Sequence, residues 1–596
     1  MKLVTAWALV FTLCGVFSAQ AQQSTTSSTA KTTRRKAAKA DPAVAQQLSE
    51  LKQALDAQQQ QIRQLSEQIQ SRDQQIQQLQ QSIQQNQTAA SQAESKADAA
   101  ASQASQQGQT VDSLKSDVTD LKQNSTNAAV ALQETQKNIN QTLESPVSWH
   151  FKGITITPGG FLEAATVWRQ HGLAADINTP FNSVPMSGAA QDHLSEFYGS
   201  GRQSRLSVLA EGKLSVAKMS GYYEADFLSA GVTSNNNQSN SYTLRQRQVW
   251  GQAAFNDGIA ITAGQMWSLV TETRKGLDNR TEALPMTIDA QYHVGFSWAR
   301  QYGFRVTKNF SNKFWIGASI ENAQTTFGGA GQNNFLIGSA GNTGGLYNSL
   351  SNYAFNSSPD FIFKAAAEPG FGHFEIFGVV RRFRDRVYPN ATATTPSAAG
   401  AFDFATTTAG FGANARVSVL KKHLDIGGHF LEGNGMGRYG TTGLPDVTVN
   451  ADGTLAPLKA VQGLGTLEIH TAKLDWYFNG GAEFVGHNMS PAGGKLFGYG
   501  LSNANNSGCS VETVPGSGGF SPGSLASCSA NTRNIIEGTT GFWYRLYKGP
   551  KGTVQLGPQY SYIVRNTWAG AAGTSILGQP SGIDNMVLTS FRYYIP

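Results

Sequence analysis

The residues best suited to binding chemistry are arginines that recur on one face of alternating segments. In residues 201–213, GRQSRLSVLAEGK, charged and apolar side chains alternate over most of the length. Applied along the chain, the same alternation selects five arginines for the polar face: Arg205, Arg305, Arg416, Arg565 and Arg592. A guanidinium group is permanently charged and presents planar N–H donors that match carboxylates and phosphates. The pattern predicts sites for small anions, the alternative being solvated charges with no part in selectivity.

Acidic residues share this polar face, so its charge is mixed in sign. The alternation places five carboxylates there: Glu211, Glu224, Asp226, Glu321 and Asp425. We therefore expect a mild rather than strict preference for anions. Two further candidate arginines, Arg274 and Arg280, lie in a polar link near 269–293. The alternation fails to place Arg247 and the run 381–384, and it predicts Arg202 at an outer rim.

Other chemistries find little support in the sequence. The nine histidines show no HExxH and no Cys/His ligand spacing, so we predict no metal site, no cofactor and no catalytic residue. A net charge of +6 over 596 residues is too small to indicate nucleic-acid binding.

The first residues have the features of an export signal. Lys2, an apolar run over residues 3–17 and Ala19-Gln20-Ala21 predict a signal peptide over 1–21, removed before Gln22. The exported chain then has two cysteines, Cys509 and Cys528, in an oxidising compartment. We predict that they form a disulfide.

A basic leader and a heptad region follow the signal. Residues 22–43 read as a flexible basic leader, and residues 44–143 read as a coiled coil. The heptad begins with apolar residues spaced alternately by three and four: Leu48, Leu51, Leu55, Ile62, Leu65, Ile69, Ile76, Leu79 and Ile83. The alternative is a disordered tether rich in Gln, Ala and Ser. The heptad does not decide between a dimer and a trimer.

From residue 147 to 596 the period changes to two. This region has no run of about 18 apolar residues, which excludes a transmembrane helix. With 63 glycines, 10% aromatic and 14% charged residues in the chain, the composition suits an all-β protein. A soluble sandwich also alternates, but here short links alternate with long polar links, as in outer-membrane barrels. The region therefore predicts an antiparallel transmembrane β-barrel.

The links predict about sixteen strands, enough to enclose an aqueous channel. They start near residues 159, 205, 219, 244, 259, 294, 313, 361, 373, 411, 423, 467, 481, 540, 552 and 585. One of the short turns is expected at Asn479-Gly480-Gly481.

Several segments resemble a known family. These are GRQSRLSVLAEG at 201–212, YYEADF at 222–227, LRQRQVWGQAAF at 244–255, AGQMWS at 263–268 and the closing SFRYYIP. They resemble the DcaP-like porins, which are trimeric outer-membrane channels favouring negatively charged small molecules such as dicarboxylates. General porins fold their third external loop into the barrel, which would place Arg274 and Arg280 at a constriction.

The resemblance implies a passive outer-membrane porin for small anionic solutes, assembled as a homotrimer in contact with lipid. The coiled coil would lie in the periplasm, where peptidoglycan is an available partner. The alternatives are a phosphate-selective or sugar-conducting porin, and a structural tether or adhesin between outer membrane and cell wall. An enzyme is not expected.

Overall fold

The computed structural model describes residues 118–130, 132–133, 148–229, 243–338, 354–392, 394–515, 528–572 and 575–596. The chain divides into two compact units, Met1–Leu132 and Gln133–Pro596. In the first unit, residues 118–130 are helical, and the heptad residues Val118 and Leu121 are exposed. The signal peptide, the leader and most of the predicted coiled coil lie outside the described residues, so they stay predictions. No helix in the described ranges is long and apolar enough to cross a membrane.

The second unit is built from sixteen long strands. They are β1 (Ile154–Arg169), β2 (Arg205–Lys213), β3 (Ala217–Ser229), β4 (Thr243–Phe255), β5 (Ile259–Trp267), β6 (Arg300–Phe310), β7 (Phe314–Glu321), β8 (Asp360–Ala367), β9 (Gly372–Val387), β10 (Phe402–Val419), β11 (Leu424–Asn434), β12 (Lys459–His470), β13 (Leu474–Val485), β14 (Thr532–Gly549), β15 (Gly552–Thr567) and β16 (Ser581–Tyr594).

Shorter elements extend this sheet or lie in its loops. Three short strands join the sheet: Trp149–Phe151, Glu196–Ser200 and Phe335–Leu336. Three two-stranded ribbons pair Val447–Val449 with Leu455–Pro457, Asn488–Ala492 with Lys495–Tyr499, and Gly570–Ala572 with Ser575–Gly578. The 3-10 turns are Phe181–Ser183, Ala190–His193, Leu420–Lys422 and Gly437–Tyr439.

The sheet closes on itself. Each strand from β1 to β15 pairs antiparallel with the next, and β1 pairs with β16 from Phe161 opposite Tyr594 to Arg169 opposite Met586. Closure satisfies the backbone of every strand internally, which a chain in hydrocarbon requires. The predicted antiparallel barrel of sixteen strands is confirmed.

The two faces of the barrel have the polarity of a membrane protein. On the outer face, Leu206 and Val208 are 45% and 42% exposed, whereas the inward Glu224 and Asp226 are 6% and 0% exposed. A soluble sandwich would bury the apolar face. Because the exposed face is apolar and the enclosed face is polar, the barrel fits lipid outside and polar groups inside.

Connections of two kinds alternate around the barrel. Short turns lie at one end, here called the turn end, and long loops lie at the other, here called the loop end. The loops used below are L1 (170–204), L3 (268–299), L6 (435–458) and L7 (486–531). The expected alternation of short turns and long loops is present.

One predicted turn was wrong. Asn479-Gly480-Gly481 lies in the middle of β13, where Asn479 pairs with Thr466 of β12 and Thr539 of β14. The turn is at 471–473 instead. Gly481 is required for a different reason, because a Cβ at this position would overlap the carbonyl oxygen of Val294 in L3.

Several strand starts also differ from the prediction. β6 begins at Arg300 rather than near 294, because the preceding residues belong to L3. β10 begins at Phe402 rather than 411 and is 18 residues long. A barrel strand needs about 9–11 residues to cross the hydrocarbon, so β10 extends beyond it. The outward-facing residues of β10 that precede Phe411 are polar or small. The apolar alternation that would have marked the beginning of the strand is therefore missing there.

L7 contains the disulfide of the structure. Cys509 and Cys528 are joined, at a sequence separation of 19. Cys509 is fully buried. The bond lies in a loop, so it constrains L7 rather than the barrel strands.

Leu206→Arg is expected to impair insertion, because Leu206 lies on the outer face. The cost should be about 2 to 4 kcal/mol near the bilayer midplane, falling toward the interface. The matched control is Ser207→Arg, whose side chain points to the lumen. Folding into lipid vesicles, followed by the mobility shift of the unheated barrel on gels, measures both. If Ser207→Arg failed and Leu206→Arg folded, the assignment of faces would be reversed.

The disulfide is expected to be present in protein purified without reductant. Alkylation of the denatured, unreduced protein should label neither Cys509 nor Cys528, and prior reduction should expose both. Closing a loop of this length contributes on the order of 3 kcal/mol in the chain-entropy model. Labelling without reduction would contradict the bond.

Candidate channel constriction

L3 folds into the barrel and crosses the lumen. At its start the backbone N–H of Leu269 donates to Glu321 of β7, at 2.9 Å. Further along, the N–H of Gly276 donates to Glu368, at 2.6 Å, in the turn between β8 and β9. L3 therefore starts at the loop end of the barrel and reaches the turn end.

The far part of L3 is held in the same way. The N–H of Val294 donates to Glu537 of β14, and the N–H of Gly295 donates to Glu483 of β13, both at 2.9 Å. Glu483 also accepts hydrogen bonds from the backbone and hydroxyl of Thr441 in L6. One wall carboxylate thus holds two loops.

Ion pairs add to these contacts between L3 and the wall. Glu272 of L3 lies 2.7 Å from Arg416 of β10. Arg274 of L3 lies 3.2 Å from Glu468 and 3.5 Å from Asp425. Two arginines predicted to bind solute are therefore paired with carboxylates of the protein itself.

L1 fills one side of the remaining space. Ile177, Phe181 and Val184 of L1 form a buried apolar cluster with Ile288 of L3 and with wall residues that include Ile563. Such a cluster excludes water and ions, so the open space of the lumen lies on its other side, lined by β1 to β4 and by the turn-end parts of β13 to β16.

A cavity of about 490 Å³ lies there. Its lining includes Leu228 near the loop end of β3, and Asp475 and Tyr594 near the turn end. L3 contributes the segment 284–292 to the opposite wall. The cavity therefore follows the height of the barrel between L3 and the wall.

Two predicted arginines meet in this cavity. The guanidinium groups of Arg205 and Arg592 lie 5.2 and 4.6 Å from the ring centre of Phe161. Arg592 is paired with Glu163 at 3.0 Å, and Arg205 is only within 3.8 Å of Glu224. In the described part of the chain, the Nε atoms of both arginines are buried without a hydrogen-bond partner. Each arginine thus has one N–H donor without a partner, and solute binding by Arg205 and Arg592 stays a prediction.

Arg280 of L3 provides a third positive charge beside the cavity. It is exposed and lies 5.0 Å from the ring centre of Tyr222, which lines the cavity. Among the described residues, Arg280 forms no ion pair within 4.0 Å. That Arg280 lies at a constriction stays a prediction.

The nearby carboxylates Glu224 and Asp226 are paired with two arginines, Arg247 and Arg245. Arg247 is 2% exposed, donates to Glu224 at 2.6 Å and also contacts Asp226. Sequence alternation could not place Arg247 because the pairing register of β3 and β4 shifts there, between Glu224 and Ala225. A β-bulge of this kind turns two successive side chains to one face.

Asp289 of L3 adds a negative charge that depends on pH. Burial raises the pKa of its carboxyl to about 6, although hydrogen bonds from the Thr179 and Gln291 amides favour the charged form. The carboxyl lines the cavity. It is charged at neutral pH and loses that charge in mild acid.

The other predicted arginines hold loops in place. Arg305 donates to Asn279 of L3 at 2.8 Å and to the carbonyl of Trp267. Arg565 donates to the carbonyl of Val184 in L1 at 2.9 Å. Neither lines the cavity, and solute binding by Arg305, Arg565, Arg416 and Arg274 stays a prediction. Arg202, predicted at an outer rim, instead donates to Asp176 of L1 at 3.0 Å.

One group of side chains has the composition of a metal site. Ligand atoms of Asp425, Glu468 and His470 lie within 4.8 Å of one another. The guanidinium group of Arg274 contacts both carboxylates, and His470 also contacts Asp475 at 3.0 Å. These residues form an ion-pair network around Arg274, which holds L3 at the turn end.

Comparison with known proteins shows the fold. No protein-family model matches the sequence, and no curated protein matches it. The outer membrane channel DcaP of Acinetobacter baumannii is 14% identical, with a TM-score of 0.50 over 75% of this chain and 100% of that one. Salmonella typhi OmpF in complex with daunomycin is 9% identical over 75% of this chain and 100% of that one, with a TM-score of 0.40. An anion-selective porin from Comamonas acidovorans is 11% identical over 74% and 100%, with a TM-score of 0.37. The chain therefore has a fold similar to that of the DcaP channel, as its sequence segments indicated.

Glu483→Ala is expected to loosen L3 and L6 without opening the barrel. The backbone of β13 keeps its pairs, but Gly295 and Thr441 lose their shared acceptor, at about 1 to 3 kcal/mol for each unsatisfied buried donor. Single-channel conductance should rise and become noisier.

Glu432→Ala is the matched control. Glu432 faces outward and is partly exposed, with Lys459 as its partner at 2.7 Å. It should leave conductance unchanged. An unchanged conductance in folded Glu483→Ala protein would show that this carboxylate does not hold the constriction.

Proposed function

We propose that the protein is a passive diffusion channel of the bacterial outer membrane. The observation that carries the proposal is the cavity: it lies inside a closed barrel with an apolar exterior, and its lining reaches from Leu228 to Tyr594. A water-filled path of this kind passes solutes without a cofactor or a catalytic step. The proposal places the barrel in lipid and makes small hydrophilic solutes its partners.

We further propose that anions are preferred. Glu224 and Asp226 are paired with Arg247 and Arg245, and Arg205 lies 3.8 Å from Glu224, whereas Arg280 forms no ion pair within 4.0 Å among the described residues. In and beside the cavity, the arginines Arg205, Arg245, Arg247, Arg280 and Arg592 outnumber the carboxylates Glu163, Glu224, Asp226 and Asp289 by one, and this excess of positive charge concentrates anions there. Dicarboxylate-like solutes follow from the sequence resemblance to the DcaP-like porins, and Arg205 with Arg592 offers two cationic groups on one ring.

A sugar-conducting channel is the second candidate, because aromatic rings line the cavity. Arg592 lies 4.6 Å from the ring centres of both Phe161 and Trp543, and Arg280 covers Tyr222. Guanidinium groups thus occupy ring faces on which a sugar would stack. A phosphate-selective channel with a lysine-rich lumen is also less favoured, since all three cationic residues lining the cavity are arginines.

For the amino-terminal region we propose the organisation that the sequence predicts. Residues 1–21 would be the signal peptide, 22–43 a flexible leader and 44–143 a periplasmic coiled coil, with the barrel from 147. We propose a homotrimer, and we propose peptidoglycan as a partner of the coil. If the protein were instead a tether or adhesin, the barrel would be closed to ions.

Purified full-length protein in planar bilayers is expected to give steady ohmic conductance with an anion-selective reversal potential. Arg205→Glu changes the passage by two charge units and should shift the chloride-to-potassium permeability ratio toward potassium by about twofold or more. Absence of conductance in folded protein would contradict the channel.

The matched control for charge is Arg382→Glu, which lies outside the barrel and should leave the permeability ratio unchanged. If Arg205→Glu also left it unchanged, anion preference would not arise at the cavity, although the channel proposal would stand.

A further inference from the structure

Three arginines project outward from the loop end of β9. Arg382 and Arg386 are exposed and Arg384 is half-buried, whereas the intervening Phe383 and Asp385 are 0% and 2% exposed. Since successive strand residues face opposite sides, the three guanidinium groups form a ladder on the outside of the barrel. The unplaced run 381–384 is thereby resolved, because Arg381 points inward to Asp360 and Asp446.

Two of these arginines have no carboxylate partner. Arg386 is paired with Asp403 at 2.7 Å. Arg382 donates only to the Thr407 hydroxyl, at 3.4 Å, and Arg384 donates through Nε to the carbonyl of Phe355, at 2.8 Å. Within the described part of the chain, neither lies within 4.0 Å of an acidic side chain. Their remaining N–H donors are available to an anion from outside the barrel.

Directly toward the turn end, the same outer surface holds an apolar groove. Its volume is about 770 Å³ and its lining is almost entirely apolar. Large and small residues alternate between adjacent strands: Ala318, Phe363, Gly378 and Phe411 form one row, and Ile316, Ala365, Ile376, Ala413 and Phe430 form the next. The small residues make the depression and the large ones its sides.

We propose that this surface binds a phosphate-bearing, acylated lipid of the outer leaflet. The phosphate would contact Arg382 and Arg384, and an acyl chain would lie in the groove. Arg382 is four positions after Gly378 on β9, which places them about 13 Å apart at ~3.3 Å per residue. The inference rests on the proposed membrane location, because it requires the outer face to meet lipid.

The combination of charge and groove favours this occupant over two others. A free anion would use the arginines but would leave the groove without an occupant. A second copy of the chain would need acidic groups opposite the ladder. The outward carboxylates Asp403 and Glu432 are already paired with Arg386 and Lys459, so the described residues of this surface offer a second copy no free negative charge.

The test measures binding of bisphosphorylated lipid A to the full-length protein in detergent. The double variant Arg382→Gln/Arg384→Gln should raise the dissociation constant about tenfold or more, because charge-assisted hydrogen bonds are lost. The control Lys548→Gln/Lys551→Gln removes two exposed positive charges at the turn end and should change it by less than about twofold. Gly378→Phe, which fills the groove, should weaken binding while the protein remains folded and conducting.

Four outcomes would overturn the site. The first is equal affinity of wild type and the arginine double variant, and the second is undiminished affinity of Gly378→Phe. The third is displacement of lipid A by millimolar inorganic phosphate. The fourth is a subunit number that changes in the double variant together with its affinity, which would assign the arginines to contacts between copies of the chain. Conductance is recorded on the same preparations. Wild-type protein that binds lipid A but does not conduct would refute the channel and support the lipid site. Protein that conducts, but whose lipid affinity is the same in wild type and in the double variant, would support the channel and refute the lipid site.

Discussion

The irregular backbone of L3 inside the barrel imposes the constraint on which the rest of the lumen depends. A strand of the wall satisfies its N–H groups through its neighbours, but a loop that crosses the lumen cannot. Wall glutamates meet the need: Glu321, Glu375, Glu483 and Glu537 each accept a backbone N–H of L3. A buried carboxylate is costly unless hydrogen bonds or a cation offset its loss of hydration. Lys364 pairs with Glu375 at 2.6 Å for this reason.

The electrostatics of the passage follow from this arrangement. Most lumen arginines are engaged with carboxylates or loop carbonyls, as Arg416 is with Glu272. The number of basic residues therefore overstates the positive electrostatic potential in the lumen, because most of these residues are paired. The arginines around Phe161 and Tyr222 are engaged less completely: Arg205 is 3.8 Å from its nearest carboxylate, and Arg592 pairs with Glu163 but has an Nε with no partner among the described residues. Arg280 lies beside Tyr222 and forms no ion pair among those residues. Selectivity is expected to arise from the charges that the fold leaves over.

The barrel could be predicted from the sequence because each strand carries its own signal. The alternation of side chains around Arg205 and Leu206 indicates which face of the strand is polar. The lengths of the connections between strands indicate which are turns and which are loops. The path of L3 could not be predicted, because its contacts join distant positions: Glu483 and Gly295 are 188 residues apart. Arg247 was missed because a bulge displaces it. Asn479-Gly480-Gly481 was misread because a glycine required by a neighbouring loop looks the same as a glycine required by a turn.

Gly481 carries a consequence for how such a passage diversifies. The carbonyl of Val294 lies where a Cβ at Gly481 would be, and the carbonyl of Gly463 lies in the same relation to Gly295. The position of L3 thus depends on the two glycines, which have no side chain where L3 meets the wall. A single methyl group added to β13 would displace L3 without altering any residue that meets the solute. Substitutions away from the lining can therefore change the width of the lumen.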